Sequence, residues 1–174
     1  MDEGVPSGAV RRKVYRAVLQ YPGVHLRGLE QQLGISSALA SYHLRELEKG
    51  GWVRGYDMEG YTRWFPGARS REATLSRKER KLLGLLREEA ALQVTLLLLD
   101  RGGMTHGELV EALGLAKSTV TYHVQKMQRA GLVKHHAERI ELADADLAES
   151  LLLRYEPVPG LQERFRKMWE DFYR

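Results

Sequence analysis

The chain has 174 residues, of which 43% are hydrophobic and 29% are charged, the composition of an ordinary globular protein. It contains no cysteine, which excludes disulfides, thiolate metal sites and thiol catalysis. No apolar run approaches the roughly 20 residues that cross a bilayer, so we expect a cytoplasmic protein with no membrane partner.

The net charge is +4, and the basic surplus is unevenly distributed. Residues 144–174 hold five Lys or Arg against seven Asp or Glu, so residues 1–143 carry a net +6. This distribution suits a polyanionic partner such as nucleic acid. A solvated surface rich in lysine and arginine would give the same count, so charge alone leaves both interpretations open.

An eleven-residue phrase occurs twice along the chain. Residues 41–51 read SYHLRELEKGG, and residues 121–131, which begin 80 positions later, read TYHVQKMQRAG. At this offset Tyr42-His43 lies over Tyr122-His123 without a gap. A duplicated structural unit is the economical interpretation.

Each unit is predicted to contain the same elements in the same order. Apolar periodicity predicts a first helix over residues 14–19 and again over 92–99. A short second helix follows, with leucines at spacings of three and four, and then a third helix over 37–49 and 117–129, with Ser36 as the N-cap of the first copy. The β-prone runs that come next predict hairpins with turns near 58–60 and 137–138.

A helix-turn-helix followed by a hairpin is the winged helix, whose third helix can enter the major groove of DNA. The predicted fold class is mainly α with small β-hairpin wings: two tandem winged helix-turn-helix units plus a C-terminal helical extension. The predicted domains are residues 9–66, a linker over 67–75, a second unit over 76–142 with a long leading helix, and the extension over 143–174. Ser76 and Glu79 fit a capping box at the start of the second unit.

The motifs Leu33-Gly34-Ile35-Ser36, Tyr42-His43-Leu44 and Gly51-Trp52-Val53, with their counterparts in the second unit, carry a resemblance to a known family. The chain resembles the tandem winged-helix transcriptional regulators common in archaea, and each unit is similar to ArsR- or MarR-type DNA-binding domains. The resemblance covers roughly residues 9–142. The metal-sensing cysteines of many ArsR proteins are missing, which argues against a metal sensor.

This resemblance implies a sequence-specific regulator that binds double-stranded DNA and acts by occupying promoters, without a cofactor. We expect no enzyme, because no nucleophile elbow, phosphate loop or paired-carboxylate arrangement is present. Tandem winged helices also resemble the scaffold subunits of chromosome-segregation and membrane-remodelling complexes, in which the units bind protein. That alternative stays open.

The candidate DNA contacts follow from the helical period, which turns residues between the apolar positions of each third helix outward. In the first unit they are Ser37, Ala38, Ser41, Tyr42, Arg45 and Lys49. In the second unit they are Lys117, Ser118, Thr119, Thr121, Tyr122, Gln125, Lys126 and Arg129. The wings add Arg54, Arg63, Lys134, His135, His136 and Arg139 as candidate phosphate contacts. For any single residue, a solvated helix face is the alternative.

Other side chains are assigned to packing. His43 and His123 are expected to pack or hydrogen-bond inside their units, and no metal site is expected. The aromatic residues of the first wing are predicted to pair across strands and not to contact nucleic acid.

The C-terminal segment carries an apolar stripe at spacings of three and four: Leu161, Phe165, Met168, Trp169 and Phe172. The stripe predicts either a homodimer interface or packing against its own unit, and the sequence leaves these equally open. The apolar run over residues 82–99 is a second candidate dimerisation surface.

Overall fold

The structure is a computed structural model that describes residues 6–58, 60–70 and 75–155. The chain divides into two compact units, Met1–Arg80 and Lys81–Arg174. The residues predicted to dimerise, Leu161, Phe165, Met168, Trp169 and Phe172, lie outside the described residues. No helix in the described ranges is both long and apolar enough to cross a membrane.

The first unit contains the predicted helices and hairpin in the predicted order. Its elements are α1 (Ala9–Gln20), β1 (Val24–His25), α2 (Leu26–Leu33), α3 (Ser37–Lys49), β2 (Val53–Met58) and β3 (Tyr61–Pro66). Gly34 ends α2 in the left-handed conformation, with φ of 63°. Ser36 then caps α3 as predicted, since its Oγ accepts a hydrogen bond from the backbone N–H of Leu39 at 3.3 Å.

The hairpin of the first unit is the main part of a three-stranded antiparallel sheet in the order β1-β3-β2. The two-residue strand β1 was not predicted, because two residues give no periodicity to detect. It pairs with β3 through Val24 opposite Trp64 and His25 opposite Arg63. The wing is thereby joined to the segment between α1 and α2.

The core of the first unit lies where α1, α2 and α3 meet the sheet. Val14, Val18, Leu29, Leu44 and Leu47 are fully or almost fully buried there. The aromatic residues close its edge: the ring centroids of Tyr15 and Trp52 are 5.6 Å apart, and those of Tyr56 and Phe65 are 5.9 Å apart. Most wing aromatics therefore pack inside the unit, as predicted, while Tyr61 is 66% exposed.

A helix α4 (Arg77–Leu86) crosses the boundary between the two units. The predicted capping box at its start is confirmed, because Ser76 Oγ accepts from the Glu79 N–H at 3.1 Å and a Glu79 carboxylate oxygen accepts from the Ser76 N–H at 2.7 Å. The second unit continues with α5 (Glu89–Arg101), β4 (Met104–Thr105), α6 (His106–Leu113), α7 (Lys117–Ala130), β5 (Val133–His136), β6 (Arg139–Leu142) and α8 (Ala145–Arg154).

The prediction of one long leading helix in the second unit is wrong. The segment is two helices, α4 and α5, and Glu88 between them has an extended backbone with φ of −86° and ψ of 123°. No glycine or proline marks this break. Leu82, Leu83, Leu85 and Leu86 are all buried within the chain, as are most apolar residues of α5, so residues 82–99 do not form the exposed dimerisation surface that was predicted.

The second unit repeats the topology of the first. Its sheet has the order β4-β6-β5, and Met104 and Thr105 pair with Ile140 and Arg139. Thr105 and Glu108 form a reciprocal capping box at the start of α6. Hydrogen bonds from the backbone and hydroxyl of Thr105 hold the pKa of the Glu108 carboxyl below its usual value. Asp144 caps α8, since its carboxylate accepts a hydrogen bond from the Leu147 N–H at 3.0 Å.

Candidate nucleic-acid interface

The third helix of each unit buries one apolar stripe and exposes the opposite polar face. In α3, Ala40, Leu44 and Leu47 are buried, and Val120, Val124 and Met127 take the same positions in α7. The predicted contact residues are exposed or half-buried at matching positions of both helices. They are Ser37, Ala38, Ser41, Tyr42, Arg45 and Lys49 in α3, and Lys117, Ser118, Thr119, Thr121, Tyr122, Gln125, Lys126 and Arg129 in α7.

In the first unit, the predicted residues border a shallow depression of about 370 Å³, lined by Ser37, Ala38, Ser41, Tyr42 and Arg45. Small side chains near the start of α3 leave this hollow between the larger Tyr42 and Arg45. The Lys49 ammonium, one turn after Arg45, is ion-paired with Glu46 at 2.9 Å. That ion pair lowers the pKa of the Glu46 carboxyl.

A tyrosine supported by a histidine occupies the same place in both units. The rings of Tyr42 and His43 meet edge to face with centroids 5.1 Å apart, and those of Tyr122 and His123 do so at 5.2 Å. Both histidines are half-buried with Nδ1 enclosed by the protein. Burial lowers the pKa of His43, and the positive charge of Arg11 on α1 lowers it further, so its imidazole is neutral near pH 7.

The start of α7 presents cations and hydroxyls together. Lys117 and Ser118 are exposed in its first turn, where free backbone N–H groups and the helix dipole favour an anion. The Thr121 hydroxyl donates to the Lys117 carbonyl at 2.8 Å and lies 3.0 Å from His106 Nε2, at the start of α6. His106, which sequence reasoning did not select, therefore helps to position Thr121.

Lys126 is already paired inside the second unit, and little of this ion pair is exposed. Its Nζ lies 2.6 Å from Glu88 Oε1, and the two side chains are only 14% and 23% exposed. His123 Nδ1 lies 3.6 Å from the other oxygen of the same carboxylate. Lys126 thus joins α7 to the start of α5, and its charge is largely compensated within the unit.

The wings supply fewer cations than the sequence suggested. Arg54 in the first wing, and Lys134 and His135 in the second, are exposed. His136 is also exposed, with Nδ1 3.4 Å from Glu141 Oε1, and Lys134 Nζ is 4.0 Å from Oε2 of the same carboxylate. Glu141 therefore draws part of the wing's positive charge to itself.

Two predicted wing contacts have an internal role. Arg63 is buried, and its guanidinium donates to the Gly23 carbonyl at 3.1 Å. Arg139 donates in the same way to the Gly103 carbonyl. Each arginine ties the middle strand of its sheet to the segment after the first helix of its unit. Burial removes Arg63 from the candidate interface, whereas Arg139 is exposed and stays a predicted contact.

The equivalence of Arg63 and Arg139 was missed because they are 76 positions apart, whereas the rest of the repeat has an offset of 80. The first hairpin, residues 53–66, is four residues longer than the second, residues 133–142. Strand register shows the match, since Arg63 faces His25 and Arg139 faces Thr105. The difference in hairpin length is visible in the sequence, and it would have indicated that Arg63 corresponds to Arg139.

Within residues 6–58, 60–70 and 75–155, no group of three or more His, Asp or Glu side chains is placed to hold a metal ion. The imidazoles of the second wing, His135 and His136, belong to consecutive strand residues, whose side chains point to opposite faces.

Two family models match the chain in succession. Residues 8–81 match a model described as an N-terminal HTH domain, and residues 80–136 match one described as a helix-turn-helix domain. The chain therefore carries two helix-turn-helix domains in tandem. With the two three-stranded sheets, these matches confirm the predicted fold class and the resemblance to tandem helix-turn-helix regulators.

The chain is also similar to one curated relative and to one solved structure. An uncharacterized HTH-type transcriptional regulator of Methanocaldococcus jannaschii is 27% identical over 137 residues, which are 79% of this chain and 33% of that protein. The chain thus spans about a third of that relative. The solved structure is the mRNA-binding domain of elongation factor SelB from E. coli in complex with SECIS RNA. The match covers 78% of this chain and 98% of that chain at 13% sequence identity, with a TM-score of only 0.30.

Proposed function

We propose that this tandem helix-turn-helix chain is a sequence-specific regulator of transcription that binds double-stranded DNA and acts by occupying promoters. Two successive helix-turn-helix matches support DNA binding, as does the relative named as an HTH-type transcriptional regulator. The net charge of +6 over residues 1–143 supports a polyanionic partner.

The observation that carries the proposal is the pair of exposed tyrosines on the third helices. Tyr42 is 53% exposed and Tyr122 is 54% exposed, although large aromatic side chains are commonly more buried. Each is held by a neighbouring histidine that is itself half-buried. The same exposed tyrosine, supported by a histidine, therefore occurs in both copies of the unit. This fits a surface that contacts DNA, because a tyrosine ring and hydroxyl can contact sugar, phosphate and base edges.

The polar neighbours of these tyrosines divide into two kinds of contact. Lys117 and Ser118 lie where a helix N-terminus already favours phosphate, so they would position the helix on the DNA backbone. Arg45 and Gln125 occupy equivalent exposed positions one turn further along. Arginine reads guanine and glutamine reads adenine through paired hydrogen bonds in the major groove. The two units would therefore prefer different bases.

The proposed regulator is a homodimer, which would present four helix-turn-helix units to an extended, symmetric site. This part depends on the apolar stripe of residues 161–172 in the sequence alone. Promoter occupancy by such a dimer would act sterically, blocking or assisting assembly of the transcription machinery.

Selection of bound sequences from a random duplex pool, at a stated salt concentration near physiological, tests the proposal. We expect an enriched motif with two or more regularly spaced half-sites. Weak retention that depends on salt but enriches no motif would contradict sequence-specific regulation, and it would favour the protein-interaction scaffold that the sequence left open.

Two variants test the role of the exposed tyrosines directly. Tyr42→Ala and Tyr122→Ala are each expected to weaken binding to the selected site at least several-fold, because each removes a supported contact at the centre of the interface. Leu153→Ala is the control, since Leu153 is an exposed large side chain on α8 and not on a third helix. Equal affinities for all three variants would remove the tyrosines from the interface.

A further inference from the structure

The first helix of the first unit carries an unbalanced cluster of positive charge. Helix α1 contains Arg11, Arg12, Lys13 and Arg16, and no acidic residue. Arg12, Lys13 and Arg16 are exposed on the side opposite the buried Val14 and Val18. Their side chains form no hydrogen bond or ion pair with any residue that the structure describes.

This charge is unfavourable for the helix itself. The N-cap residue is Gly8, which offers no side-chain cap, and the first turn holds no acid to match the positive end of the helix dipole. Arg12 and Arg16 are four positions apart and Lys13 and Arg16 are three apart, so like charges lie side by side on the helix surface. Departures from local rules of this kind are expected at functional sites.

The equivalent helix of the second unit shows that the fold does not require these cations. Helix α5 has Glu89 in its first turn and Arg101 in its last, as the dipole favours, and Asp100 is its other charged residue. The third helices show the opposite distribution. Helix α7 carries three Lys or Arg and no acid, whereas the two Lys or Arg of α3 are balanced by two glutamates.

Several other cations of the first unit have partners inside it. Lys49 is ion-paired with Glu46, Arg69 lies 4.9 Å from the Trp52 ring centroid, and Arg63 donates to a backbone carbonyl. Arg12, Lys13 and Arg16, by contrast, lie within five consecutive residues of one helix and have no such partner among the described residues.

We propose that Arg12, Lys13 and Arg16 form a second DNA-binding surface, which contacts backbone phosphates. In the first unit, α1 would supply the electrostatic contacts that α7 supplies in the second, while α3 reads bases through its nearly neutral face. The trio spans about 6 Å of helix axis, and successive phosphates of one strand rise by about 3.4 Å along the axis of B-DNA. Two neighbouring phosphates of one strand therefore lie within reach of these long side chains.

The inference rests on the proposed binding of duplex DNA, and salt dependence tests it. The double variant Arg12→Gln/Arg16→Gln is compared with Arg101→Gln/Arg154→Gln, which removes the same two charges from α5 and α8. Affinity is measured by fluorescence anisotropy at several salt concentrations, on the selected duplex and on a scrambled one. Thermal unfolding of both variants confirms that they are folded.

For the α1 variant we expect the slope of log K against log salt to become shallower by about 1.8, since each lost phosphate contact removes about 0.9. Affinity for both duplexes should fall by a similar factor, so the preference between them stays unchanged. The melting temperature should stay the same or rise, because like-charge repulsion is relieved. The control variant should keep the wild-type slope.

An α1 variant whose slope equals that of the control would overturn the inference. A change in sequence preference without a change in slope would also overturn it, because phosphate contacts carry no sequence information. Failure of the proposed function can be distinguished from failure of this inference. If the proposed function fails, wild-type protein binds the selected and scrambled duplexes alike. The salt slopes of the α1 and control variants would still decide whether α1 contacts phosphates. Wild-type protein that retains no duplex at all would overturn both.

Discussion

Replacing Glu88 with glutamine is expected to destabilise the second unit and, at the same time, to strengthen its binding to DNA. The Glu88 carboxylate accepts a hydrogen bond from the Lys126 ammonium at 2.6 Å and joins the start of α5 to α7. Glutamine keeps the shape of the side chain but removes its charge. The two effects have opposite signs because the same ion pair that stabilises the unit also neutralises a cation of the third helix.

The size of the stability loss follows from the burial of the pair. Hydrogen bonds to charged groups contribute about 1.5–3 kcal/mol to folding. The Lys126 and Glu88 side chains remain 14% and 23% exposed, and glutamine can still accept a weaker hydrogen bond. We therefore expect a loss of about 1–2 kcal/mol, which lowers the melting temperature of a unit of this size by roughly 4–16 °C.

The gain in DNA binding follows from the position of Lys126. It lies one turn after Tyr122, and its Nζ is 5.9 Å from the centroid of that ring. Without the Glu88 charge, Lys126 can neutralise one phosphate, so the slope of log K against log salt should steepen by about 0.9.

Urea denaturation and anisotropy titrations at several salt concentrations measure the two effects on the same preparations. The double variant Glu88→Gln/Lys126→Gln is the control, and it should return the salt slope to the wild-type value. With the two single variants it completes a double-mutant cycle, which gives the coupling energy between Glu88 and Lys126. Weaker DNA binding by folded Glu88→Gln, or an unchanged salt slope, would refute the view that Lys126 is a compensated cation.

Three further outcomes are expected. Lys117→Ala should make the slope of log K against log salt shallower by about 0.9. Gln125→Ala should leave that slope unchanged and relax the preference at one base position. Anisotropy on point-mutated duplexes separates the two effects, and identical behaviour of the two variants would contradict their assigned roles. Thr105→Ala should cost about 0.5–2 kcal/mol in urea denaturation, because it removes the cap of α6; no change would contradict the capping box. Burial lowers the pKa of His43, so the unfolded chain takes up the proton first and stability should fall as the pH drops below about 6.5. His43→Gln should flatten this dependence in pH-dependent urea titrations, while the exposed His135→Gln should not, and equal curves would contradict the burial effect.

Local sequence signals determined most of the architecture. The 80-residue repeat, the apolar spacing of the helices and the caps at Ser36 and Ser76 all predicted elements that the structure contains. These signals suffice because a helix period or a cap involves residues only three or four positions apart. The outward face of the third helices followed from the same period, so Tyr42 and Tyr122 could be selected without coordinates.

Only the tertiary structure decided which selected cations have their charge available. Lys126 is paired with Glu88, 38 positions away, and the buried Arg63 is turned to a carbonyl 40 positions away. The break between α4 and α5 likewise has no local breaker in the sequence, and the leucines before it are buried. A lysine or arginine has the same local signature whether it faces solvent or a distant acceptor. Its partner is set by how helices and strands pack, and that packing depends on the whole unit.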